Sequence, residues 1–197
     1  MIKKRSVKLK LFPLTKYVGV NEADPLRFYF YPILGYYYRQ RVERNCLGEL
    51  SGGERVLEIG FGSGLSFLNL HDLYQEIWGI DLTAAAEEIA ALFLDHGIVT
   101  NLQNGNVQEL PYPDNFFDSV LLISILEHLK PEEQISAFRE IHRVLKPGGQ
   151  VVYGTPVERP LMVFLFQLLG TNIRVHHFST EKDIGVAAEQ VLQRVNK

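Results

Sequence analysis

The stretch RVLEIGFGSG, residues 55–64, joins a short apolar run to a turn that contains three glycines. An apolar run of this length that ends in glycines predicts a buried β-strand, and residues 65–74 are predicted to form the helix that follows. Gly60, Gly62 and Gly64 permit a tight turn and let a ligand approach the backbone closely. The stretch therefore predicts a ligand-binding loop between the first strand and its helix.

Strands and helices are predicted to alternate after this loop. Thr83 is a predicted N-cap, and Gly97 is a predicted helix stop. Five strands with crossover helices indicate an α/β fold with a doubly wound parallel sheet, which binds its ligand at the carboxyl ends of the strands. The further strands are predicted at 76–82, 99–104, 117–123 and 150–155, and the further helices at 83–96, 131–145 and 179–195.

Length and charge place limits on the class of protein. The 197 residues suit one domain, predicted at 51–197, with an aromatic-rich helical segment or lid at 1–50. Five basic residues lie among the first ten, so the net charge of -3 leaves -8 for the remainder. An acidic body argues against a nucleic-acid substrate. The basic start itself is typical of a solvated tail or of a contact with an anionic surface.

The cysteine and hydropathy patterns indicate the environment of the chain. Cys46 is the only cysteine, which excludes an intrachain disulfide and favours a reduced, cytoplasmic location. No signal peptide is evident, and the apolar stretch 160–169 is too short for a transmembrane helix. The Cys and His spacings do not predict a metal site.

Two carboxylates lie at the ends of the first two predicted strands. Asp81 ends the second strand, where it could accept hydrogen bonds from both hydroxyls of a ribose or stabilise a helix N-terminus through the helix dipole. Glu58 could accept hydrogen bonds at the end of the first strand, including those from a cationic amino group. A dinucleotide-binding fingerprint would require glycine where Leu65 stands, so the loop departs from that pattern.

Four stretches in register carry a resemblance to a known family. Residues 56–64 resemble motif I of class I S-adenosylmethionine-dependent methyltransferases, and residues 79–82 resemble their acidic loop. Residues 106–118 and 138–149 resemble the adenine-side loop and the helix and turn before strand five. The resemblance spans residues 54–156, and within the family the chain is similar to the methyltransferase type 11, or UbiE-like, group. It implies a Rossmann-like sheet of order 3-2-1-4-5.

The resemblance also implies a site for S-adenosyl-L-methionine, with S-adenosyl-L-homocysteine as the product. Ser124 would lie beside the transferred methyl group, and the family commonly has Asp where this chain has Asn106, whose amide can still accept from the adenine amino group. The other implied contacts are Glu58, Gly60, Phe61, Gly62 and Gly64 for the methionine part, Asp81 for the ribose, and Leu82, Asn106 and Val107 for the adenine.

Catalysis in such a site depends on orientation and proximity, because the cofactor supplies the reactive methyl group. A hydroxyl acceptor would also need a general base, for which His128 is the candidate, with Glu127 beside it. The alternative is that His128 hydrogen-bonds the backbone and shapes its loop. The acidic body and the aromatic residues predict a small, apolar acceptor rather than nucleic acid.

Seven aromatic residues lie between Phe28 and Tyr38. They could form a lid over the cofactor, line a pocket for an apolar acceptor, or pack the N-terminal segment onto the sheet. We expect Tyr36 or a neighbour to reach the cofactor carboxylate.

The carboxyl end departs from the family, whose sheet usually gains an antiparallel hairpin after strand five. No such hairpin is evident in the sequence, so strand five is expected to be an exposed edge. Either the chain is a truncated form, or the N-terminal segment, a second copy or another partner covers that edge. Two other functions stay open: a nucleotide-dependent oxidoreductase, and a non-catalytic subunit that keeps the fold and binds the cofactor.

Overall fold

The computed structural model describes residues 5–19, 24–155 and 179–192. All five strands are parallel and form one sheet of order β3-β2-β1-β4-β5. This order confirms the predicted Rossmann-like, doubly wound architecture. The strands are β1 (Gly53–Ile59), β2 (Tyr74–Asp81), β3 (Thr100–Asn104), β4 (Phe117–Ile123) and β5 (Leu145–Gly154).

The helices cover both faces of this sheet. Short 3-10 helices lie at Leu14–Lys16, Pro25–Phe30, Leu47–Glu49 and Leu126–His128. The α-helices of the described residues are α1 (Leu34–Asn45), α2 (Phe67–Leu70), α3 (Ala86–Leu94), α4 (Pro131–Val144) and α5 (Glu181–Val191).

The helix after the glycine loop is much shorter than predicted. It was expected over residues 65–74, but α2 is a single turn, and Tyr74 already belongs to β2. The Tyr74 hydroxyl donates to the Ser119 hydroxyl of β4, 2.8 Å away, within the buried sheet. This long-range contact places Tyr74 in the sheet, and it is not visible in local helical spacing.

The start of α3 also differs from the prediction, because Thr83 does not cap it. The helix begins at Ala86, after a cap residue, Ala85, whose side chain makes no capping hydrogen bond. The carboxylate of Asp81 accepts instead from the backbone N–H groups that precede the helix. Gly97, with φ +77°, follows the end of α3 in the left-handed conformation expected of a helix stop.

The two faces of the sheet bury separate apolar cores. One core combines α3 and the glycine loop with N-terminal residues such as Leu26, Tyr29 and Val42. The other core combines α4 and α5 with the opposite face of the sheet, and it includes Phe138 and Ile184. The N-terminal segment is therefore packed onto one face of the sheet, as one of its three interpretations predicted.

The carboxyl end of β5 meets the N-terminal segment. Gly154, the last residue of β5, lies so close to Cys46 that an added Cβ would be 2.5 Å from the Cys46 Sγ. Within the described strands, β5 pairs only with β4. The predicted absence of the hairpin and the apolar stretch 160–169 both concern residues outside the described ranges. Across the described residues, no helix is long and apolar enough to cross a membrane.

Candidate functional site

The glycine loop has the backbone conformation that its composition predicts. Gly60, Gly62 and Gly64 have φ values of +72°, +50° and +74°, in the left-handed region that favours glycine. The N–H of Gly60 donates to the Ile80 carbonyl at 2.8 Å, which ties the loop to the end of β2. An added Cβ on Gly60 would collide with the Ile125 side chain. The loop thus presents bare backbone at the carboxyl edge of the sheet.

Asp81 joins this loop to the end of β2. Its Oδ2 accepts from the Gly62 N–H at 3.0 Å, and its Oδ1 accepts from the N–H groups of Thr83 and Ala84, both at 2.9 Å. The structure therefore brings together two residues that the resemblance assigned to different parts of one ligand. Since a carboxylate has about four lone-pair positions, three backbone bonds leave it able to accept from a further hydroxyl.

Glu58 lies beneath the loop and is almost completely buried, with 2% of its surface exposed. It accepts a hydrogen bond from the Ser66 hydroxyl. Burial raises the pKa of Glu58 to about 8, the hydrogen bond from Ser66 opposes this, and the charge of Asp81 adds to it. Glu58 is therefore a carboxyl group that can exchange a proton near neutral pH.

The adenine side of the predicted site presents an exposed apolar side chain. Leu82 is 71% exposed although it directly follows β2. The Oδ1 of Asn106, which the resemblance assigned to the adenine edge, accepts from the Gln108 N–H at 2.9 Å within a turn. Val107 is buried in the core, so only its backbone could face a ligand. The sequence did not single out Asn104 of β3. Its amide donates to the Ala84 carbonyl at 2.8 Å and so holds the loop between β2 and α3 against the end of β3.

Two of the predicted contact residues shape the loop from below. Phe61 is buried and packs on Phe67, with 5.8 Å between ring centroids, so its side chain belongs to the core. An added Cβ on Gly64 would lie 2.7 Å from the rings of Phe67 and Phe93. Phe61 and Gly64 can therefore contribute to a ligand site through their backbone and through the loop shape that they permit.

Ser124 at the end of β4 meets a cation from the N-terminal segment. It is one of two non-glycine residues with positive φ (+60°) in the described chain, and its N–H donates to the Gly154 carbonyl at 2.8 Å. Its Oγ accepts from the Arg41 Nη2 at 2.7 Å. The resemblance placed Ser124 beside the transferred methyl group, and the sequence did not predict its contact with Arg41.

The guanidinium group of Arg41 lies against two hydroxyl groups and an aromatic ring. It bonds the hydroxyls of Ser124 and Tyr29, and it lies 5.7 Å from the centroid of the Tyr38 ring. Burial raises the pKa of Tyr29 to about 12, and the positive charge of Arg41 opposes that rise. Within the ranges that the structure describes, no carboxylate forms an ion pair with Arg41. A half-buried guanidinium group with no carboxylate partner among the described residues favours an anionic ligand.

Asp24 reaches the glycine loop from the N-terminal segment. Its Oδ2 accepts from the Ser63 N–H at 2.8 Å, and its Oδ1 accepts from the Leu26 N–H at 2.8 Å. Burial raises the pKa of Asp24, the hydrogen bonds lower it, and the charge of Asp81 raises it further. Three carboxyl groups therefore surround the loop, two from the sheet and one from the N-terminal segment.

Comparison with known proteins identifies this arrangement. Residues 57–153 match the family model described as a methyltransferase domain. This part of the chain belongs to the class I methyltransferases. A ubiquinone biosynthesis O-methyltransferase of Alkalilimnicola ehrlichii is 35% identical over 127 residues, which are 64% of this chain and 50% of that protein.

Two further comparisons cover a similar share of the chain. The ubiquinone/menaquinone biosynthesis C-methyltransferase UbiE of Coxiella burnetii is 32% identical over 133 residues, covering 61% of this chain and 52% of that protein. The crystal structure of the YcgJ protein of Bacillus subtilis matches with a TM-score of 0.56 and 25% identity, over 79% of this chain and 65% of that one. The chain spans about half the length of the curated relatives it matches.

Two further residues of the predicted site, His128 and Tyr36, are exposed. His128 is exposed at the end of a 3-10 helix, and its N–H donates to the Ile125 carbonyl at 3.0 Å. Tyr36 is 55% exposed, and its ring contacts that of Tyr37 at 5.8 Å between centroids, so these contacts do not connect it to the glycine loop. Arg41, more than one turn further along α1, is the residue that reaches the sheet.

A signal for Arg41 was present in the sequence. Leu34, Tyr38, Arg41 and Val42 have the spacing of one helix face, and Leu34 and Val42 are buried. An arginine on the buried face of an aromatic-rich helix indicates a polar partner beneath it.

In the described part of the chain, no group of three or more His, Cys, Asp or Glu residues could hold a metal ion.

Proposed function

We propose that this protein is an S-adenosylmethionine-dependent methyltransferase that acts on a small, apolar acceptor. The observation that carries the proposal is the bond between Asp81 and Gly62 across the ends of β1 and β2. It holds a carboxylate with spare acceptor capacity beside bare glycine backbone at the carboxyl ends of β1 and β2. The neighbouring pair, β1 and β4, is where the strand order reverses and where doubly wound sheets bind nucleosides.

The residues present fit the three parts of this cofactor. The carboxylate of Asp81 would accept from the ribose hydroxyls, and the exposed Leu82 would pack against the adenine. Glu58 would attract the cationic amino end, and Arg41 would pair with the carboxylate. When bound, the cofactor supplies a methyl group on a sulfonium that an acceptor nucleophile attacks in line.

The protein's own contribution would be orientation and, for a hydroxyl acceptor, removal of a proton. The loop and Asp81 would hold the nucleoside, and Arg41 would hold the amino-acid end, which would orient the cofactor for transfer. His128 is the candidate general base, and its exposure leaves the imidazole accessible to an acceptor. The relatives are named for ubiquinone and menaquinone biosynthesis, which supports phenols and quinols as the first acceptors to try.

Calorimetry with S-adenosylmethionine, S-adenosylhomocysteine and NADH tests the cofactor. We expect the two sulfur nucleosides to bind and NADH not to bind; binding of NADH alone would support the oxidoreductase alternative. Labelled methyl transfer to a panel of phenols and quinols then tests the reaction, and His128→Ala should lower kcat without changing cofactor affinity. Cofactor binding without transfer to any acceptor, in the panel or in a cell extract, would favour the non-catalytic subunit.

A further inference from the structure

The chain around the start of α1 carries an exposed apolar surface. We call Tyr31, Ile33, Tyr36 and Tyr37 the aromatic face. Ile33 is 74% exposed, and each of the three tyrosines is at least half exposed, although all four lie within seven consecutive residues. A cluster of large apolar side chains in contact with solvent is typical of an interaction surface.

Arginines flank the aromatic face at both ends. Arg27 is exposed four residues before Tyr31, and Arg44 is exposed two turns of α1 after Tyr37, on the same side of the helix. In the part of the chain that the structure describes, neither arginine forms an ion pair. The aromatic face therefore lies between two cations that have no carboxylate partner among the described residues.

The acids of the same stretch do not offset these cations. Glu43 is buried and accepts from the Leu9 N–H at 2.9 Å, and Asp24 accepts from the Ser63 N–H at 2.8 Å. Residues 1–45 contain ten Lys and Arg residues and three acidic residues, so their net charge of +7 leaves -10 for the rest of the chain. An anionic surface would therefore be attracted to the N-terminal region and repelled by the acidic body.

Aromatic and basic side chains in this arrangement match the chemistry of a membrane surface. A tyrosine can place its ring beside the acyl chains and its hydroxyl among the headgroups, and tyrosines are enriched at that boundary. Arginines are attracted to anionic headgroups. An acidic protein would complement the two arginines, but a lipid surface also offers the apolar layer that the exposed Ile33 lacks.

Ring contacts connect the aromatic face to the proposed site of methyl transfer. The Phe28 ring lies 6.0 Å from that of Tyr31 and 5.8 Å from that of Tyr38, between centroids. The Tyr38 ring in turn lies 5.7 Å from the guanidinium group of Arg41, which bonds Ser124. A lipid surface on the aromatic face would thus lie close to the end of β4, and an apolar acceptor dissolves in that lipid.

We propose that the aromatic face docks this protein onto an anionic membrane surface, with Arg27 and Arg44 beside the lipid phosphates and Ile33 among the acyl chains. The docking itself needs no cofactor. Its consequence for catalysis, that the acceptor comes from the bilayer, rests on the proposed function.

Flotation with lipid vesicles tests the charge of the surface. Without cofactor, we expect binding to vesicles of equal parts phosphatidylcholine and phosphatidylglycerol, weaker binding to phosphatidylcholine alone, and a loss of binding as salt is added. Arg27→Gln and Arg44→Gln should each weaken binding about fivefold, because one arginine near such a surface contributes about 1 kcal/mol. Arg139→Gln, which removes an exposed arginine of α4, is the matched control and should bind as the wild type does. No binding to the mixed vesicles, or equal weakening in all three variants, would overturn the proposal.

Substitutions of Ile33 test whether the aromatic face enters the lipid. Ile33→Ser should weaken binding about tenfold, because an isoleucine side chain would no longer leave water. Leu94→Ser removes an exposed leucine of α3 and should have no effect. When mixed vesicles are added, the emission of Ile33→Trp, after subtraction of the wild-type Trp78 signal, should shift to shorter wavelength, whereas that of Leu94→Trp should not. Binding without this shift in Ile33→Trp would show that another face meets the lipid.

Two other occupants of the aromatic face are outcomes that would overturn the proposal. A dimer in sedimentation velocity that Ile33→Ser abolishes would assign the face to a second copy of the chain. Tighter binding to poly-glutamate than to mixed vesicles, lost in Arg27→Gln, would assign it to an acidic protein. Since the vesicle assays contain no cofactor, their failure leaves the proposed methyltransferase function standing. Failure of S-adenosylhomocysteine to bind would remove only the link to the acceptor.

Discussion

The two sides of the candidate site hold their charges in different ways. The acids Glu58 and Asp81 lie on neighbouring central strands, and backbone N–H groups from nearby loops fix Asp81. The cation, Arg41, lies on α1 and bonds Ser124, 83 residues away in the sequence. The acid side is therefore determined by strand register, whereas the cation side depends on how the N-terminal segment docks.

This difference suits a ligand with two distinct ends. A nucleoside needs precise hydrogen-bond geometry, which strand ends supply because the sheet is rigid. A charged amino-acid end can be bound by longer-range attraction, which tolerates a more mobile element. The two sides can be tested separately, since adenosine, which lacks the amino-acid end, depends on the acid side only.

The largest effect is expected where the loop itself is changed. Gly60→Ala would force an alanine to φ +72° and place its Cβ in the Ile125 side chain. We expect a loss of about 2–4 kcal/mol of unfolding free energy from the strain and the overpacking, together with loss of cofactor binding. Gly97→Ala is the matched control, because its φ is +77° but nothing lies within 4 Å of the added Cβ. Chemical denaturation should show only about 1 kcal/mol lost there; equal losses in both variants would refute the collision with Ile125.

Loss of the acid side should weaken every probe that contains the nucleoside. Asp81→Ala should reduce the affinity for both S-adenosylhomocysteine and adenosine about 100-fold, since it removes a charged acceptor and the tie to Gly62. Asp81→Asn should retain part of the affinity, and the exposed Asp95→Ala should have no effect. Calorimetry measures all four proteins. A normal adenosine affinity in Asp81→Ala would remove Asp81 from the ribose site.

Loss of the cation side should affect only the amino-acid end. Arg41→Met should weaken S-adenosylhomocysteine about tenfold, the value of one charge-assisted hydrogen bond, and leave adenosine unchanged. Arg41→Lys should recover part of the loss, and the exposed Arg44→Met serves as the control on the same helix. Equal weakening of both ligands would show that Arg41 holds the fold and does not recognise the carboxylate.

The features that the sequence predicted and those that it missed also divide between the sheet and the N-terminal segment. Phe117–Ile123 forms a strand with the bounds that its apolar run indicates, and Asp81 meets the glycine loop as strand order requires. Asp24 and Arg41 were missed because their partners lie 39 and 83 residues away. Helical spacing places Arg41 on the same face of α1 as the buried Leu34 and Val42, but neither periodicity nor a motif identifies a partner at such a distance in the sequence.

The smallest expected effect concerns a proton on Glu58. Burial raises its pKa from 4.5 to about 8, so its contribution to stability is complete below pH 4.5 and is lost as the pH rises through 8. Glu58→Gln should therefore become more stable relative to the wild type across this range.

A cationic ligand would lower the pKa of Glu58, so binding of S-adenosylmethionine at pH 7 should release part of a proton. Calorimetry in phosphate and in Tris measures that release from the difference in enthalpy, and it should disappear in Glu58→Gln. The same release in Glu58→Gln would assign the proton to another group, with Asp24, whose pKa is also raised by burial, as the next to test.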